Sequence, residues 1–95
     1  MGGIRAVQNR AGQLKILLET SPAATPFLKS EFDAVVDAAT YTGGSSNPQA
    51  REYEGKVLML LDKLETQLPS ASTDECLATV KSIAATLALR KTVKN

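Results

Sequence analysis

The side chains that perform most protein chemistry are nearly missing from this 95-residue chain. It has no histidine, the commonest general base and metal ligand, and only one cysteine. Cys76 stands in "STDEC", at the start of an amphipathic run. A helix N-terminus there would lower its thiol pKa, whereas burial would make it a small core side chain. The second reading suits a lone cysteine with no histidine to activate it. Asp33 and Asp37 are one helical turn apart, a spacing open to metal ligation. They lie opposite an apolar stripe, however, and read as a solvated face. The glycine-rich stretch "TGGSSNP" lacks the lysine of a phosphate-binding loop and reads as a turn or hinge. The expectation is therefore a non-enzymatic protein with no catalytic residue, no metal and no cofactor.

Composition narrows the class. Apolar residues make up 43% of the chain and charged residues 22%, while aromatics reach only 4%. That balance predicts one soluble domain with an aliphatic core. No apolar run approaches the roughly 18 residues of a membrane span. Gly2 follows the first Met, but Ala6 stands where a myristoylation signal has Ser or Thr. A single cysteine forms no internal disulfide, which suits a reducing compartment and a cytoplasmic location. Charge is segregated along the chain. Residues 1–18 and 76–95 carry cations and no acids, and all ten acids fall between 19 and 75. Such segregation either draws parts of one molecule together or steers a polar partner. The basic ends lack interleaved aromatics and the net charge is only +1, which argues against nucleic acid as the partner.

Four helical segments account for the hydrophobic periodicity, and no strand pattern competes. The first runs from about Ile4 to Glu19, with Val7, Ala11, Leu14 and Leu18 on one stripe; Gly12 weakens it. Thr25 and Pro26 form a cap and first-turn signal for the second, whose stripe is Leu28, Phe32, Val35, Val36 and Ala39. Gly43 and Gly44 can end it with left-handed angles. Asn47 and Pro48 repeat the start signal for a third segment to about Leu68. Ser72, with Glu75 three residues on, predicts a capping box at the fourth. There Leu77, Val80, Ile83, Ala84 and Leu87 form the stripe, with Arg90 and Lys91 near the negative end of the helix dipole. Short breaks imply an all-α antiparallel bundle over residues 1–95.

The third segment contains "KVLMLLDKLET", residues 56–66. Tyr53, Val57, Leu60, Leu61, Leu64 and Leu68 make the stripe of this segment, while Leu58 and Met59 widen the apolar arc, so this helix should touch more than one neighbour. Met59 reads as core, although the extra positions Leu58 and Met59 are also where a partner helix could dock.

The same stretch resembles the middle of the BAG domain, the Hsp70-binding bundle of nucleotide-exchange cochaperones. Lys56, Leu58, Leu61, Asp62, Glu65 and Thr66 match its second helix. Val80, Ile83 and Leu87 fall in line with its last helix. The likeness covers about residues 50–90 and implies a three-helix core, here interrupted at 41–48. It also implies binding to the Hsp70 nucleotide-binding domain, with Lys56, Asp62, Glu65 and Lys81 as contact residues. Stabilising the open lobe of Hsp70 would speed ADP release. The sequence departs from the family at Cys76, Leu77 and Ala84, where an Arg-Lys pair and a Gln usually contact Hsp70. Leu60 also replaces a glutamate. The alternative expectation is a scaffold or docking module, from a larger protein, that binds a partner helix.

Overall fold

The computed structural model describes residues 3–70 and 72–94. Gly2, the residue that a myristoylation signal would use, lies outside them. The chain forms four helices: α1 (Ile4–Thr20), α2 (Pro26–Thr40), α3 (Pro48–Gln67) and α4 (Thr73–Lys91). They pack into an all-α four-helix bundle measuring 40 × 19 × 19 Å. No helix among the described residues is long and apolar enough to cross a membrane.

The predicted start signals work as caps. Thr25 Oγ1 accepts from the Leu28 N–H at 3.2 Å, Asn47 Oδ1 from Gln49 at 2.9 Å, and Ser72 Oγ from Glu75 at 3.2 Å. Each satisfies a backbone donor that the helix itself leaves unpaired. Pro26 and Pro48 follow their caps directly, where a missing N–H costs nothing. The left-handed ending expected at Gly43 and Gly44 does not occur, because no described glycine has a positive φ. Instead α2 ends at Tyr41, whose N–H bonds back to Asp37 O.

The predicted stripes converge, except that Ala84, expected on the α4 stripe, is exposed because it falls one residue past Ile83 on the edge of that stripe. Val7, Leu14, Leu18, Leu28, Phe32, Val57, Leu61, Leu64, Ile83 and Leu87 are all buried in one core, together with Cys76. Full burial of such side chains contributes about 1.5–3 kcal/mol each. Leu58 packs against this core from the side. Met59 does not: it is 74% exposed, which corrects its reading as core. Leu64 follows Val57 and Leu61 into the core, and Met59 falls between them on the outward face of the helix.

Helix order around the bundle is α1, α2, α4, α3, and the consecutive helices α2 and α3 sit diagonally, without close backbone approach among the described residues. The α1–α2 and α3–α4 hairpins are antiparallel, as expected. The end contacts show the other two pairings to be parallel: Ser21 bonds Leu68 O at the ends of α1 and α3, and Thr73 bonds Ala23 O at the starts of α2 and α4. Residues 41–47 are thus a diagonal crossover rather than an interruption within one helix. Seven extended residues reach about 23 Å, enough to traverse a 19 Å cross-section.

Candidate functional site

The residues predicted to meet a partner do not form one surface. Asp62 and Glu65 lie on the flank of α3 that faces α1, where Arg10 holds both. Arg10 Nε and Nη2 donate to Asp62 Oδ1 at 3.2 and 3.1 Å. Its guanidinium also bonds both carboxylate oxygens of Glu65. The hydrogen bond to Glu65 raises the Arg10 pKa above its ordinary value, against the lowering effect of desolvation. Lys56 lies on the opposite flank, toward α4, with its ammonium 5.8 Å from the centre of the Tyr53 ring. Lys81 is exposed on α4 and makes no ion pair among the described residues.

Part of the charge segregation is met inside the molecule, among the described residues. Each ion pair takes its cation from a basic end and its acid from the middle: Arg10 with Asp62 and Glu65, Lys15 with Asp33 at 3.5 Å, and Arg90 with Glu54 at 2.6 Å. Arg90 and Glu54 are 4% and 2% exposed. Sequence reasoning placed Arg90 at the helix end and passed over Glu54. The signal was there. Glu54 falls in register with Ala50, Val57 and Leu61, and Arg90 continues Ile83 and Leu87, so each carries a charge at a core position. Arg90 Nη2 also donates to Gly43 O at 2.7 Å, tying the crossover to α4. Above this pair the crossover and the start of α1 enclose a cleft of about 630 Å³ that includes Arg5, Gln8, Arg51 and Glu54.

Cys76 is buried, and desolvation pushes its thiol pKa up, with Glu75 adding to the rise. Its position in the first turn of α4 therefore does not activate it. Asp33 is engaged by Lys15, and no group of three or more potential metal ligands converges among the described residues.

An open apolar furrow lies between α3 and α4. Lys56, Met59, Leu60, Lys63 and Thr86 enclose about 420 Å³ of it. It continues past Leu60 and Lys63 into a further 230 Å³ bounded by Gln67, Glu75, Ala78 and Ser82. On the α4 wall, Ser82 Oγ and Thr86 Oγ1 donate to Ala78 O and Ser82 O at 3.1 and 2.8 Å. Their hydrogens are turned into the helix, which leaves small, largely apolar side chains facing the furrow. Leu89, three residues beyond Thr86 on the same flank, is 50% exposed. Of these residues the sequence points to Lys56 and Met59 as partner-facing, and reads Leu60 as part of the core stripe and Glu75 as a capping residue. The recurrence of Lys63 seven residues after Lys56, and of Leu89 off the core stripe, were the signals that sequence reasoning missed. A second apolar cleft at the far end, between Leu17, Pro22, Leu68 and Pro69, is bordered by Glu65, which Arg10 already holds.

Compared with protein-family models, with curated proteins and with solved structures, the chain matches none.

Proposed function

We propose that the protein is a non-enzymatic interaction module that binds a partner protein along the α3–α4 furrow. The observation that carries this reading is Met59, a large apolar side chain left 74% exposed at the rim of an apolar groove. Other exposed apolar residues, such as Ile16, Phe27 and Tyr41, lie on different elements and are ordinary for a small domain. Met59 is flexible and polarisable, which suits a surface that must fit another side chain. Affinity capture with the wild-type protein and with Met59→Glu tests this. A partner held by the wild type and lost from the variant, with unchanged helicity and melting, supports the furrow. Equal capture by both refutes it.

A BAG-like cochaperone is a narrower form of the same proposal, with an Hsp70 lobe as the partner. Lys56 lies on the furrow and favours it. Asp62 and Glu65 sit on the other flank, engaged by Arg10, and count against the contact set that the resemblance implies. Acceleration of ADP release from Hsp70 by the wild type, and not by Met59→Glu, would identify that partner. No acceleration at saturating protein would exclude it.

A further inference from the structure

We infer that the occupant of the furrow is an amphipathic helix bearing two carboxylates seven residues apart, with apolar side chains between them. This rests on the docking reading above and specifies its chemistry.

The argument begins with spacing. Lys56 and Lys63 are separated by seven residues, so they lie on one side of α3, about 10 Å apart along its axis. Both are exposed, and neither has a carboxylate within ion-pair distance among the described residues. Glu75 borders the Gln67 end of the furrow but lies beyond ion-pair distance of Lys63, so both lysines face the groove without an ion-paired acid. Between the two lysines along α3, half-buried Leu60 supplies an apolar floor and exposed Met59 an apolar rim. The opposite wall carries Ala78, Ser82 and Thr86, one per turn of α4, and side chains of that size let another backbone approach closely. From Lys56 to Gln67 the furrow runs about 16 Å along α3, or three helical turns.

A helix seated there would present apolar residues three and four positions apart to Met59 and Leu60, and its flanking acids to the lysines. An extended strand would instead need unpaired backbone groups along the groove, and helix walls have none to offer. A basic helix would bring like charges together over a partly desolvated floor.

The experiment uses three helix-stapled peptides of about 16 residues, roughly 24 Å long. One carries Glu at the two flanking positions, one carries Lys there, and one keeps Glu but has Ser in place of its apolar residues. Amide shifts of the full chain report binding. The acidic amphipathic peptide is expected to give saturable shifts confined to residues 56–67 and 78–89. The double variant Lys56→Glu/Lys63→Glu should weaken it by about tenfold or more, a change of about 1.4 kcal/mol, and should then bind the Lys peptide. Equal binding of acidic and basic peptides, shifts elsewhere, or equal saturation by heparin or phosphatidylserine vesicles would overturn the inference. If Met59→Glu abolishes partner capture while the charge swap changes no peptide's affinity, the docking reading stands and this inference fails. If neither change matters, both fail.

Discussion

Arg90 reaches across from the end of α4 to Glu54 near the start of α3, its Nε 2.6 Å from Oε2, while its Nη2 holds the Gly43 carbonyl at 2.7 Å. One guanidinium thus joins two helices of a hairpin to the diagonal crossover. Asn47 reinforces the junction by donating to Lys94 O at 2.8 Å. Removing one member leaves a buried charge without a partner. Arg90→Met and Glu54→Leu are each expected to cost about 3–5 kcal/mol in urea denaturation, and the double replacement to recover most of the loss. Single losses below about 1 kcal/mol would show that the pair does not govern this end of the bundle.

The Arg10 clamp should behave differently because water reaches it. Arg10→Ala is expected to cost under about 1 kcal/mol, falling further at high salt. Leu61→Ala, in the fully buried core, should cost about 2–5 kcal/mol with little salt dependence. Equal losses at the two sites, or an Arg10 effect indifferent to salt, would contradict this ranking.

Burial of Cys76 has a consequence in alkali. Its folded pKa lies above the ordinary value, so the folded state favours the neutral thiol. That contribution is complete below the unfolded pKa, about 8.5, and is lost as pH rises through the folded value. Stability should therefore fall more steeply above that point in the wild type than in Cys76→Ala. Parallel pH profiles would disprove it. Native Cys76 should also react with a disulfide reagent far more slowly than after unfolding.

Four glycines invite substitution. An added Cβ at Gly12, Gly43, Gly44 or Gly55 meets nothing within 4 Å, and none of these residues has a positive φ. Gly12→Ala and Gly55→Ala, inside α1 and α3, are expected to stabilise by about 1 kcal/mol each. Gly43→Ala and Gly44→Ala should be neutral or stabilising by about 0.4–1 kcal/mol, through a less flexible unfolded chain. A lower thermal midpoint in Gly43→Ala would show that the crossover needs glycine there.

Local signals determined the helices. A proline after a side-chain cap, and apolar residues three and four apart, act over one or two turns, so Thr25, Asn47, Ser72 and the core stripes were legible without any tertiary knowledge. The same rules say that a stripe is buried without saying against what. Residues 41–47 were legible as a break, but only packing made them a diagonal crossover that puts α2 beside α4 and leaves α3 between α1 and α4. That arrangement turns Asp62 and Glu65 toward Arg10, gives Glu54 a cation at a core position, and leaves Lys56, Met59 and Lys63 beside an open furrow. Each outcome depends on residues distant in the chain, and helical periodicity carries no information about which distant helix a given flank will meet.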